Sequence, residues 1–244
     1  MNDLIITGLP RGGTTLVAAL VDGLEGCACL SEPQRHVELL AAAPSATEFV
    51  AAVVEDFAAS RRLLEAGGAV EDRRGPHGGA IDNYFAEPDA DGVRRPRFVA
   101  TPRRVEGFTS AWVLGAKHNA LYTGVLPEFV ASGRLAILAV VRDPADAIAS
   151  WTTLDVPAHR GRLPAAERFW PEAAALGERV DLPLLDRQIL LADLVLARYR
   201  DCGVPVVRYE ELLADAESVA RLPPLAGRRW RPGRVQPQPR PGLH

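Results

Sequence analysis

Eight consecutive residues near the amino terminus, Gly8-Leu9-Pro10-Arg11-Gly12-Gly13-Thr14-Thr15, have the composition of an anion cradle. Glycines let backbone N–H groups wrap a phosphate at the mouth of a helix, where the macrodipole favours negative charge. On the phosphate-loop frame G-x-x-x-x-G-K-[ST] the segment fits at Gly8, Gly13 and Thr15, with Thr14 in the lysine position. That lysine reaches the β- and γ-phosphates in nucleoside-triphosphate chemistry. The chain therefore has a phosphate cradle without the triphosphate handle. A second group follows the apolar run Leu135–Val141, in Arg142-Asp143-Pro144-Ala145-Asp146 and, beyond it, Ser150. Pro144 suits the first turn of a helix, which sets Arg142 at a strand end and Ser150 two turns into the helix.

The run Pro10-Arg11-Gly12-Gly13-Thr14-Thr15 resembles the 5′-phosphate site of sulfotransferases that use 3′-phosphoadenosine-5′-phosphosulfate (PAPS). The 3′-phosphate motif of that family has the form R-(D/N)-P-x-D-x-x-x-S, and Arg142, Asp143, Pro144, Asp146 and Ser150 meet every fixed position. The arrangement most resembles the tyrosylprotein sulfotransferases and their bacterial relatives. In those a base glutamate follows the first motif by about twenty residues, and a lysine precedes the 3′-phosphate strand. Glu32, within Ser31-Glu32-Pro33, and Lys117 match those intervals. The resemblance implies that Arg11, Gly12, Gly13, Thr14 and Thr15 hold the 5′-phosphate, and that Arg142 and Ser150 hold the 3′-phosphate. It further implies that Glu32 is the base and that Arg11 and Lys117 stabilise transition-state charge. It does not cover residues 45–110, where selection of the acceptor is expected to reside.

The residues themselves bear on those roles. Sulfuryl transfer needs an acceptor oxygen relieved of its proton, and positive charge on the sulfonate and the departing oxygen. Of the 28 Lys and Arg residues, one, Lys117, is lysine. A compact ammonium with three rotatable donors differs from a planar guanidinium at a crowded site. Glu32 precedes a proline at a strand end, a common place for a solvated turn carboxylate, and its ordinary pKa makes it a weak base. His36 and His118 titrate nearer neutrality and are rival bases. Arg228-Arg229-Trp230-Arg231-Pro232-Gly233-Arg234 resembles the basic glycine-containing loop that closes over the 3′-phosphate or adenine in many sulfotransferases; by composition alone it reads as a solvated basic tail.

These groups require strands that end together and helices that begin beside them. Leu4–Thr7 and Leu135–Val141 are short, continuous apolar runs of the buried-parallel-strand kind. Ala28–Leu30, Trp112–Ala116 and Val204–Arg208 are further strands. Helices are expected over Thr14–Leu24, Ala46–Ala66, Leu121–Val130, Ala165–Leu176 and Leu184–Arg200. The alternation predicts an α/β fold of the phosphate-loop type, three αβα layers about a parallel sheet, in one domain over residues 1–244. Residues 67–110 read as a lid or substrate loop, or as a simple insertion. Residues 222–244 read as a Pro/Arg-rich tail.

Composition bounds the function. The chain has 244 residues, is 48% hydrophobic and 24% charged, and carries a net charge of −3. That balance argues against a dedicated nucleic-acid binder. No apolar stretch approaches the roughly 20 residues of a membrane span. A strand begins almost at once, leaving no room for a signal peptide, so a cytoplasmic location is expected. Cys27, Cys29 and Cys202 form neither a disulfide framework nor a metal set. The expected activity is PAPS-dependent sulfonate transfer, with no metal, to a hydroxyl of a small molecule, glycan or lipid. A tyrosine acceptor is also compatible, but the bacterial-looking Ala/Arg/Pro bias favours the other three. A divergent small-molecule kinase and a nucleotide-binding regulatory domain without turnover are the alternatives.

Overall fold

The computed structural model describes residues 3–73, 81, 85–97, 99–108 and 111–231. In chain order the first half contains β1 (Leu4–Gly8), α1 (Thr14–Gly23), β2 (Cys27–Ser31), α2 (Gln34–Ala42) and α3 (Ala46–Glu65). Next come β3 (Val70–Arg73), β4 (Ala100–Arg103), β5 (Val113–Lys117), α4 (Asn119–Gly124) and α5 (Leu126–Ser132). The remainder is β6 (Ala136–Val141), α6 (Pro144–Thr152), α7 (Pro164–Glu167), α8 (Pro171–Gly177), α9 (Leu184–Asp201), β7 (Val206–Arg208) and α10 (Tyr209–Ala214).

Every residue of β1, β2 and β5 is buried, which is why these runs are mainly apolar and do not alternate, with polar Thr7, Ser31 and Lys117 confined to their carboxyl ends. The strands form a five-stranded parallel sheet in the order β2-β5-β1-β6-β7. Leu4 and Ile6 pack toward Val17, Leu20 and Val21 of α1. Ile5 faces the other way, onto Phe49, Val53 and Phe57 of α3 and Phe129 of α5. On that second face Trp151 of α6 and Leu191 and Val195 of α9 complete the layer. The fold is the expected α/β architecture, a helical layer on each side of the sheet.

The sheet's order fixes where ligands can lie. The chain builds leftward from β1 to β2 and β5, then crosses to the right for β6 and β7. Loops leaving the carboxyl ends of β1 and its neighbours part at such a reversal and leave a crevice. Thr7 fastens this region from below. Its hydroxyl donates to the Asn119 carbonyl at 2.9 Å and pairs with Thr123 Oγ1 at 2.7 Å, which in turn pairs with the Tyr199 hydroxyl at 2.7 Å.

Several sequence expectations change in detail. The single helix expected over Leu121–Val130 is α4 and α5, parted at Val125 (φ −122°, ψ 28°). Pro127 cannot donate to the carbonyl of Thr123, and its ring crowds that carbonyl. Arg198 supplies the missing donors, Nε to Thr123 O at 2.9 Å and Nη2 to Gly124 O at 2.8 Å. The helix expected over Ala165–Leu176 is likewise split into α7 and α8, with Pro171 opening the second. Helix α2 was not expected at all.

The stretch read as a lid divides. Its flanks, β3 and β4, pair antiparallel as a separate two-stranded sheet beside β2, while Phe85 and Pro96 from the stretch between them line the crevice. The lid expectation for residues 74–80, 82–84, 98 and 109–110 lies outside the described residues. The outer edge of β2 is closed by carboxylates: Asp22 Oδ1 accepts from Cys29 N at 3.0 Å and Asp72 Oδ1 from Ser31 N at 2.5 Å. Such blocking suppresses edge pairing with other chains. The three cysteines are free. Among the described residues no helix is long and apolar enough to cross a membrane.

Candidate functional site

The carboxyl ends of β1, β2, β5 and β6, with the start of α10 after β7, converge on a cleft of about 470 Å³. Its lining includes Arg11, Gly13, Thr14, Thr15, Glu32, Lys117, His118, Asn119, Arg142 and Tyr209. Eight of these, all but Asn119 and Tyr209, are candidates on sequence grounds. A more open hollow of about 510 Å³ beside Asp89, Asp155 and Arg187 contains none of them. The cleft is thus the place where the sequence motifs meet.

The β1–α1 loop owes its shape to two left-handed residues, Arg11 (φ 63°) and Gly13 (φ 99°). Gly13 also carries the Tyr209 ring, which would stand 2.4 Å from an added Cβ. Gly12 differs from expectation: its N–H donates to Leu9 O at 2.7 Å and is spent inside the turn. The first helical bond runs from Val17 N to Gly13 O, so the amides of Thr14, Thr15 and Leu16 precede the ladder and are the groups a bound anion would meet. Thr14 is 3% exposed and its hydroxyl donates to Asn119 Oδ1 at 2.7 Å. The residue in the lysine position thus ties the loop to α4.

Arg11 and the second motif are in contact. Arg11 Nε donates to Ser150 Oγ at 3.2 Å, and its guanidinium lies 5.1 Å from the Phe85 ring centroid. Burial first, then the charges of Arg94 and Arg142, push its pKa down. Arg142 follows β6, stacks 5.1 Å from the Tyr209 ring centroid and pairs with Asp146 at 3.2 Å. Its Nε is buried and has no partner among the described residues. Ser150 reaches the cleft through Arg11 and is not itself part of the lining.

Glu32 and Lys117 are locked together. β2 and β5 are neighbours with Ser31 opposite Lys117, and Glu32 N donates to Lys117 O at 2.8 Å, one further rung. The turn there forces Glu32 into a left-handed conformation (φ 48°), uncommon for a side-chain-bearing residue and typical of functional sites. Lys117 Nζ donates to Glu32 Oε1 at 2.6 Å, and Lys117 is 2% exposed. Burial alone would raise the Glu32 pKa, but the charge of Lys117, its hydrogen bond and the neighbouring His118 and Arg73 bring it down to about 2. The carboxylate is therefore ionised at every physiological pH.

The two histidines are placed differently. His36 is 1% exposed, outside the cleft, and bridges Tyr122 OH at 2.6 Å and Asp56 Oδ2 at 3.1 Å. His118 lines the cleft but is held neutral, its pKa lowered to about 4 chiefly by burial, with Lys117, His36 and Arg73 adding to the shift against Glu32. Asn119 and Phe85 escaped the sequence reading. Asn119 had a signal, because it directly follows Lys117-His118, whereas Phe85 sits in a stretch without periodicity.

Arg228–Arg231 lies away from the cleft. Arg228 donates to the carbonyls of Glu25, Gly26 and Ala111, and Arg231 to that of Cys27, all where β2 and β5 begin. The segment is neither a lid on the phosphate motifs nor a free tail. Residues 232–234 lie outside the described residues. No protein-family model matches the chain, and no curated protein matches it.

Proposed function

We propose that the chain is a PAPS-dependent sulfotransferase that moves a sulfonate to a hydroxyl of a small molecule, glycan or lipid. The observation that carries this reading is the 3.2 Å hydrogen bond from Arg11 to Ser150, which brings the two phosphate motifs to one cleft. Three further features support it. Among the described charged side chains lining the cleft, Arg11, Lys117 and Arg142 stand against one carboxylate, Glu32, a balance suited to a polyanion. Arg142, after β6, brings its guanidinium to the cleft lining, where it suits a 3′-phosphate. The amides opening α1 suit a 5′-phosphate.

When bound, PAPS supplies a sulfonate on a 5′-phosphate oxygen; the chain's residues supply position and charge. Arg142 and the α1 amides orient the two phosphates. Glu32 receives the proton of the acceptor hydroxyl as its oxygen bonds to sulfur. A carboxylate of such low pKa is a weak base, so transfer comes late, once bond formation has acidified that hydroxyl. Protonating Glu32 also loosens its hold on Lys117. The ammonium is then released toward the oxygen that departs with the 5′-phosphate, where Arg11 also offsets the growing charge.

Binding of 3′-phosphoadenosine-5′-phosphate (PAP) tests this without knowledge of the acceptor. A ligand at a hundredfold excess over its Kd stabilises the native state by about 2.7 kcal/mol, worth roughly 5–11 °C in a domain of this size. PAP without added metal is expected to give that shift, and ATP with Mg²⁺ much less. The reverse order would favour the divergent kinase. PAP binding without transfer to any hydroxyl would favour a regulatory domain.

A further inference from the structure

His118 holds the one ring nitrogen in the cleft whose protonation the backbone dictates. It is the N-cap of α4, and its Nδ1 accepts the Leu121 N–H at 3.3 Å. A nitrogen that accepts cannot carry the proton, so the neutral ring is protonated at Nε2. The ring is steadied edge-on by Tyr122, with centroids 6.0 Å apart. Nε2 has no hydrogen-bond partner among the described residues, and His118 is a half-buried lining residue beside Lys117 and Glu32. The site therefore contains a fixed, uncharged N–H donor that no group among the described residues uses.

We propose that His118 donates its Nε2–H to a non-bridging oxygen of the sulfonate being transferred, as a specificity-determining contact for the sulfonated donor and not as a base. The inference rests on the sulfotransferase reading of the cleft and extends it to a residue that reading leaves without a role. The charged and titratable groups around the ring are Glu32 after β2, Lys117 on β5, His36 on α2, Arg73 on β3 and Tyr122 on α4. Burial first, then Lys117, His36 and Arg73, outweigh the opposing charge of Glu32 and keep the imidazole neutral near pH 7, so its donor role needs no protonation event. A sulfonate oxygen is only an acceptor and matches an N–H that is always present.

Three variants separate the donor from the cap. Asparagine keeps both, since its carbonyl can cap and its amide can donate; aspartate keeps only the cap; alanine keeps neither. A neutral hydrogen bond is worth about 0.5–1.5 kcal/mol, so His118→Ala and His118→Asp are expected to weaken PAPS binding by roughly 2–13-fold or more. PAP, which lacks the sulfonate, is expected to keep its affinity within about twofold, and His118→Asn to lose less than either of the others. Calorimetry with PAPS and PAP reads this directly, and ¹⁵N NMR of the histidine ring reads the tautomer. Equal losses for both ligands, an Nδ1-protonated ring, or His118→Asp as the most active variant would each overturn the inference while leaving the donor site intact. Failure of PAP to bind the unaltered protein would remove the sulfotransferase reading itself, and this inference with it.

Discussion

Lys117 and Glu32 illustrate what one residue pair can disclose. Their intervals from the two motifs are visible in the chain, and so is the uniqueness of Lys117 among 28 basic residues. Their contact is not, because it depends on β2 and β5 being neighbours with Ser31 opposite Lys117. The pair also separates two pH responses. Glu32 has a folded pKa of about 2, below its ordinary value, so its stabilising effect is full above the unfolded carboxyl range and is lost as pH falls from about 4.5 to 2. His118, with a folded pKa of about 4 against 6.5, binds its proton more readily when unfolded, so stability falls as pH drops from about 6.5 to 4. Denaturant titrations at successive pH values are expected to show His118→Asn flattening the upper window and Glu32→Gln the lower. Interchanged windows would reverse the two assignments. Lys117→Arg tests the ammonium itself. A guanidinium is too broad for a 2%-exposed position paired at 2.6 Å, so kcat is expected to fall about 10²-fold while PAP affinity changes little. Near-normal turnover would mean that charge alone suffices there.

Elements explain both what was legible and what was not. The strands were readable because burial on both faces leaves an unbroken apolar run, and β1 and β6 lie where those runs are. The helix breaks at Pro127 and Pro171 were less so, because helical periodicity continues through both prolines. What decides them is whether tertiary donors such as Arg198 take over the freed carbonyls. The β1–α1 loop depends similarly on a distant element. Gly13 was recognisable as a cradle glycine, but its contact with Tyr209 of α10 belongs to the tertiary structure. Gly13→Ala is expected to cost about 1–3 kcal/mol through its positive φ, with a further loss from the Tyr209 ring. Combining it with Tyr209→Ala relieves the clash and leaves the backbone term. Thermal melts of the two single variants and the double variant measure the difference, and strictly additive losses would show that ring and loop are independent.

At the scale of the whole molecule the sheet has two ends with different duties. Site residues gather at the carboxyl end, as a parallel sheet with a reversal at β1 requires. The opposite end has to satisfy the carbonyls where β2 and β5 begin, and Arg228 and Arg231 do so from more than 200 residues away in the chain for β2 and from 117 for β5. Trp230 packs there against Gly23 at the end of α1 and forms an isolated antiparallel bridge with Leu24. Composition alone cannot distinguish an arginine that meets a phosphate from one that meets carbonyls, which is why this segment reads either way in sequence. A five-residue strand at about 3.3 Å per residue puts the two ends some 15 Å apart, beyond direct contact with a bound nucleotide. Arg228→Ala removes donors to three backbone carbonyls at once, and charged donors contribute about 1.5–3 kcal/mol each before water partly replaces them. A net loss of about 2 kcal/mol corresponds to a fall of roughly 4–8 °C in melting temperature. At a temperature where both proteins are folded, PAP affinity is expected to agree within twofold. A selective loss of PAP binding with an unchanged melting temperature would instead put Arg228 in the nucleotide site, and with it the basic loop that the sequence suggested.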